Sequence, residues 1–248
     1  MDRRAATLYP ASPFSPRCRL LSPRRPRGGR GAFSLRLGFG VLALIAFAHA
    51  HAEGGSYNVD DASVVGNGKC QLESWLREWS NGSNGVYTVP ACGVGAVELG
   101  LSLNTEQRTH GVTANPGAKW QLRNGDVKGV GVAVATNATY LHGRQEDIQA
   151  YVSTTFGLDD ARRVMMALNA GADRMRHDST HGLFGVGLSW SLTERWELLV
   201  ERLWTHRTID DQGGVRFGWD DSSVDLVIGS ERGPHREHWI NLGWNVAF

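Results

Sequence analysis

Residues His177-Asp178-Ser179-Thr180-His181 hold, within five positions, the groups of nucleophilic catalysis: a hydroxyl, two imidazoles and a carboxylate. A serine becomes nucleophilic only when a base takes its proton and a third group orients that base. The same residue types also fill solvated loops, and that plain reading is the favoured one here. A second pair with chemistry is Cys70 and Cys92. If Asn81-Gly82 is a hairpin tip, the two stand opposite each other on neighbouring strands. Antiparallel partners have Cα atoms roughly 4.5 to 5.5 Å apart, inside the roughly 4.4 to 6.8 Å that a disulfide accepts. The expectation is a cross-strand disulfide, with two free thiols as the alternative. Cys18 lies in a leading segment and has no partner role.

The elements that position these groups read as strands. Period-2 alternation recurs and helical spacing is nearly absent. Val97, Leu99, Leu101 and Leu103 alternate with Glu98, Gly100, Ser102 and Asn104; Phe184 to Ser191 and Ile240 to Phe248 repeat the pattern. One face is large and apolar, the other small, polar or charged. A soluble sandwich puts longer polar residues on its wet face; a small alternate face suits a narrow enclosed lumen, with the apolar face toward lipid. Lipid forbids open sheet edges, so such a sheet must close. Twelve segments are countable: 68–79, 85–92, 96–106, 115–123, 129–140, 147–157, 162–174, 181–192, 195–206, 213–220, 223–231 and 237–248. The expected fold is all-β, a closed antiparallel transmembrane β-barrel of about 12 strands (10–12), each crossing with roughly 9 to 11 residues. Tight Gly, Asn and Asp turns alternate with longer polar connections such as 107–114 and 174–180. This pattern is expected of short periplasmic turns and longer external loops, with both termini periplasmic.

If apolar residues face lipid, the inward, lumen-lining set is Glu73, Arg77, Glu98, Lys119, Gln121, Arg123, Asp173, Glu197, Glu201, Arg216 and Asp225. Its signs are mixed, so the charges either pair and fill the lumen or line a path for a small-molecule solute. Arg202 faces lipid on strict alternation, which requires a bulge or a position at the membrane edge. Trp75, Trp79, Trp190, Trp196, Trp204, Trp219, Trp239 and Trp244 fall mostly near strand ends, as interfacial aromatic girdles do.

The net charge of +1 hides an asymmetry: residues 1–52 carry nine Arg and one acid, and the remainder 17 bases and 24 acids. An acidic remainder argues against a nucleic-acid partner. Residues 37–47 form an apolar run too short to span a membrane and are followed by Ala-His-Ala-His-Ala at 48–52. That order is expected of a signal peptide with a long basic n-region, 1–52, removed after Ala52. Residues 53–66 then form a periplasmic N-terminal segment and 67–248 an outer-membrane barrel. With no CxxC, no phosphate loop and no dinucleotide fingerprint, no cofactor and no metal are expected. Asn81-Gly82-Ser83 and Asn137-Ala138-Thr139 are accidental glycosylation patterns.

Several segments resemble the outer-membrane barrel family known as meta-pathway of phenol degradation. These are Gly66 to Ser74, Val97 to Leu103, Pro116 to Trp120, and Gly185 to Trp196 running on to Glu201. The resemblance implies a closed outer-membrane barrel of transporter or porin type, and little about substrate. The terminal Phe248, in phase with the apolar face of the last strand, resembles the signal that such proteins present to the barrel-assembly machinery. The expected function is a narrow porin or transporter for small solutes in the Gram-negative outer membrane, and not an enzyme. The alternatives are an outer-membrane acyl hydrolase with a loop His/Ser site, and a sealed structural barrel. The hydrolase reading lacks the His-x-Ser-Asn pattern of the outer-membrane phospholipases and lipid A deacylases, because Thr180 stands in place of the Asn.

Overall fold

The computed structural model describes residues 56–107, 111–233 and 236–248. The leader expected at 1–52 lies outside the described residues. Twelve strands run in chain order: β1 Cys70–Trp79, β2 Asn84–Val94, β3 Val97–Glu106, β4 Gly111–Arg123, β5 Val130–Leu141, β6 Arg144–Gly157, β7 Val164–Met175, β8 Thr180–Ser191, β9 Trp196–Trp204, β10 Ile209–Trp219, β11 Ser222–Arg232 and β12 Arg236–Ala247. Each pairs antiparallel with its sequence neighbour, and β1 pairs with β12 from Gln71↔Ala247 to Trp79↔Trp239, closing the barrel. The seam continues into Phe248 and Cys70, which exchange both backbone hydrogen bonds at 2.8 Å. A single helical turn, α1 Gly125–Lys128, follows β4, and the Asn124 side chain caps it by accepting from the Asp126 N–H.

The outer face is apolar for the reason the alternation gives. Leu76, Val86, Leu99, Val200, Ile228 and Leu242 are exposed, while their neighbours one position away face the lumen. The exposed indoles Trp120, Trp190, Trp196, Trp219 and Trp244 sit toward the end of the barrel where β1 begins and β12 ends, here called the terminal rim. They form one interfacial belt there. Trp75, Trp79 and Trp239 do not join it: Trp79 and Trp239 are buried inside the lumen, and Trp75 stacks on the inward Tyr87 at 4.9 Å. The correction follows from parity, since Trp75 and Trp79 share the face of Arg77.

The expected contrast in connection length is absent. The segments 107–114 and 174–180 shorten to 107–110 and 176–179, because β4 begins at Gly111 and β7 runs on to Met175. Connections at the opposite, loop rim are therefore no longer than those at the terminal rim.

Candidate functional site

The interior is organised by a segment that precedes the first strand. Residues 56–66, which fall within the stretch expected to be a periplasmic N-terminal segment, run as a strap along the inner wall. A lone extended chain in a lumen has backbone N–H groups with no sheet partner, and buried ones must be satisfied. Wall side chains do this in turn. The Asn58 N–H donates to Glu201 Oε2 at 2.9 Å, the Asp60 N–H to Asn169 Oδ1 at 2.8 Å, the Ala62 N–H to Thr155 Oγ1 at 2.8 Å and the Val65 N–H to Glu98 Oε2 at 2.8 Å. In the other direction Gln212 donates to the Ser56 carbonyl at 3.0 Å and Gln121 to the Ala62 carbonyl at 3.1 Å. Val59 seats over Gly185 and Gly187, where a Cβ would lie 3.1 Å from its Cγ2 and 3.5 Å from its Cβ respectively. The small inward residues of β8 are thus the space the strap occupies.

Ion pairs complete the anchoring. Lys119 Nζ lies 2.8 Å from Asp60 Oδ1 and 3.4 Å from Asp61 Oδ1, and the Tyr151 hydroxyl donates to Asp60 Oδ2 at 3.0 Å. Arg216 grips Asp225 with two bonds of 2.7 and 3.0 Å and covers the Tyr57 ring at 4.4 Å. Asn245 adds a 2.9 Å bond to the same Asp225. A bidentate Arg–carboxylate pair of this kind is both strong and directional.

A second cluster fills the lumen nearer the loop rim. Arg77 lies over three rings, Trp79 at 5.2 Å, Tyr87 at 5.3 Å and Trp239 at 4.9 Å, and its Nε donates to Asn241 Oδ1 at 2.8 Å. The Tyr87 hydroxyl donates to Glu106. Beside the strap a cavity of about 380 Å³ remains against β2 to β6, lined by Asp60, Glu98, Asn115, Lys119, Gln149 and Tyr151 among others.

Of the residues expected to line the lumen, Glu73, Asp173, Glu201, Arg216 and Asp225 are buried in it. Arg77, Glu98, Lys119 and Gln121 make the inward contacts above, and Glu197 faces inward as the partner of Arg216. Arg123 does not belong with them. The register slips between Gln121 and Arg123, so that Arg123 pairs with Val132, an outward position, and it is exposed at the terminal rim. The bulge at Leu122 reverses the alternation. Arg202 has no such bulge: its pairing with Asp211 is continuous, it faces outward, and Asp211 bonds both Arg202 and Arg232 at the loop rim.

The sequence reading missed inward carboxylates at strand ends: Glu106, Asp147, Asp210, Glu231 and Glu237. With Glu73, Glu98, Asp173, Glu197, Glu201 and Asp225, the alternating inward positions carry eleven carboxylates against three cations, Arg77, Lys119 and Arg216. Asp60 and Asp61 on the strap add to the acidic side. The lumen is therefore strongly acidic, where the sequence reading gave mixed signs.

Cys70 and Cys92 are joined by a disulfide, with Cα atoms 4.1 Å apart. Cys70 spends its backbone bonds on Phe248, so the cysteines form a non-hydrogen-bonded pair, the closer of the two antiparallel geometries.

The His177 to His181 stretch divides between the β7–β8 connection and the first residues of β8. Ser179 Oγ lies 3.1 Å from His181 Nε2, and Asp178 Oδ1 lies 3.5 Å from that same nitrogen. A serine relay needs the hydroxyl and the carboxylate on opposite ring nitrogens; here both crowd one, and the relay is not formed. The Ser179 N–H and the His181 ring hold the Asp178 carboxyl below its ordinary range.

A closed ring with an apolar belt outside and a charged, polar interior defines a transmembrane β-barrel of outer-membrane, porin-like architecture. The chain belongs to the family described as uncharacterised conserved protein UCP029691, whose model matches residues 41–248. No curated protein matches the chain. Among solved structures it is similar to the KdgM porin in complex with disordered oligogalacturonate, at 10% identity over 72% of this chain and 99% of that one, TM-score 0.61. The KdgM porin alone gives the same identity and coverage with TM-score 0.60, and the NanC porin 9% identity over 71% and 98%, TM-score 0.56. At such identities the likeness is one of fold. It supports the porin-like barrel that the sequence motifs implied, and not the phenol meta-pathway label.

Proposed function

We propose that this protein is a narrow porin of the outer membrane whose lumen favours small cationic solutes. The observation that carries the reading is the excess of inward carboxylates around the strap. Fixed charge of one sign in a low-dielectric passage concentrates counter-ions, and rings of Asp and Glu select cations. A twelve-strand ring lies between side-chain-filled barrels and open porins, and the strap and the Arg77 cluster narrow it further. Oligogalacturonate, the ligand in the KdgM complex, is a polyanion; this acidic wall is suited to the opposite charge. Porin function itself is supported by the shared architecture and by the motifs common to the phenol meta-pathway barrels, which leave the solute open.

On this reading residues 1–52 are the export leader, β1 starts and β12 ends at the periplasmic rim, and the exposed terminal Phe248 is the signal read by the assembly machinery. The sealed-barrel reading is favoured by the strap alone, and one experiment separates the two. Purified protein in planar bilayers under a KCl gradient should show small unitary steps with a cation-selective reversal potential, weakened in Asp147→Asn. Anion selectivity overturns the proposal, and a silent bilayer from correctly folded protein establishes the sealed barrel instead.

A further inference from the structure

We propose that Asp178, His181 and His206 form a binding site for one divalent transition cation of the zinc type at the loop rim. This stands on its own geometry and does not depend on how the lumen conducts. Asp178 comes from the β7–β8 connection, His181 from the inward face of β8, and His206 from the β9–β10 connection. One ligand atom of each lies within 4.8 Å of the others. The two imidazoles are parallel, 3.4 Å apart between centroids with 10° between planes.

Ligands at about 2.0 to 2.1 Å from a tetrahedral zinc are separated from each other by about 3.3 to 3.4 Å. His181 Nε2 and Asp178 Oδ1 are 3.5 Å apart, close to that edge, and the stacked rings must tilt so that both nitrogens converge on one point. The carboxylate is also held in place from outside the triplet. The Ser179 N–H donates to its Oδ1 at 2.7 Å, and Arg207 Nη2 lies 3.6 Å from Oδ2. Such outer contacts fix ligand orientation in metal sites. Two imidazoles and one carboxylate suit zinc, copper or nickel rather than calcium or magnesium, which take oxygen ligands. Three protein ligands leave a fourth position for water or a solute at the mouth. The bound ion would clip the β7–β8 connection to the β9–β10 connection, two segments that otherwise meet through ring stacking and the Arg207–Asp178 pair.

The test uses the protein extracted in detergent without a histidine tag and stripped with chelator. Titration with Zn²⁺ should give one saturable site per chain, and Cu²⁺ should show an electron spin resonance spectrum with two coordinating nitrogens. His181→Ala and His206→Ala should each weaken binding by about tenfold or more, while His177→Ala keeps it. Heat-modified gel mobility shows that each variant is folded. Absence of a saturable site, or binding undiminished in both the His181 and His206 variants, overturns the proposal.

Discussion

Asp60 and Lys119 meet at 2.8 Å inside the barrel, and this contact joins the segment before the first strand to the middle of the wall. The Lys119 side chain is only 11% exposed, so its charge depends on Asp60 and Asp61. Lys119→Met removes the counter-ion from two carboxylates and loosens the centre of the strap, which Asn169 and Tyr151 still hold. Single-channel recording should find larger and noisier unitary steps than in the parent, with stronger cation selectivity.

Gly93 marks where the strap enters. A Cβ there would lie 2.1 Å from the Val65 carbonyl oxygen and 2.4 Å from that of Gly66, both backbone atoms that cannot swing aside. Gly93→Ala should therefore shift the base of the strap and cost about 1 to 3 kcal/mol. Urea unfolding followed by tryptophan fluorescence reads the loss.

Arg216 and Asp225 form a pair with side-chain exposures of 11% and 0%. Asp225→Asn leaves Arg216 without its counter-charge, and removing one partner of such a buried pair costs about 3 kcal/mol or more. The double replacement Arg216→Met with Asp225→Leu should recover part of that loss, since neither charge of the pair remains, while Glu197 loses its facing cation and Asn245 one acceptor. The same unfolding measurement compares the variants.

Trp239 is buried and stands edge-on to Trp79, with ring centroids 5.2 Å apart. Trp239→Ala empties the space against Arg77 and should cost about 3 to 5 kcal/mol. Because the space opened lies in the lumen, the same variant should pass larger solutes in liposome swelling, which a stability loss alone does not produce.

Cys70 and Cys92 are 22 residues apart in sequence. Chain-entropy arguments give their crosslink about 3.4 kcal/mol. Cys70→Ser should lower unfolding resistance by no more than that and leave Cys92 open to maleimide labelling. The parent protein should label at neither position before reduction.

All twelve strands were legible in the sequence, because lipid outside and a narrow lumen inside impose the same two-residue period everywhere. Parity alone also placed Trp75 and Trp79 beside Arg77; reading them as girdle residues set strand-end position above alternation. Arg123 was misread because a single-residue bulge at Leu122 leaves no mark on the local pattern. The strap was invisible for a different reason. Ser56 to Val65 has no period, since its backbone partners are the side chains of Glu98, Thr155, Asn169 and Glu201, which belong to four separate strands. Its nearest sequence signal was the run of small inward residues on β8, Gly185 and Gly187, which leave room for something else to occupy. The acidity of the lumen was underestimated because Glu106, Asp210 and Glu231 lie at strand ends, where sequence alone does not separate wall from loop.

The bond between Cys70 and Cys92 sits on the outside of the wall, at the first residue of the strand that must later meet the last one. It fixes the stagger of the β1–β2 hairpin. A ring of given strand number has its bore set by the total stagger accumulated around it. With the opening hairpin unable to slide, the final strand has one offset to adopt, and Phe248 reaches Cys70 only at that offset. A covalent link that touches no solute therefore helps to set the calibre of the passage.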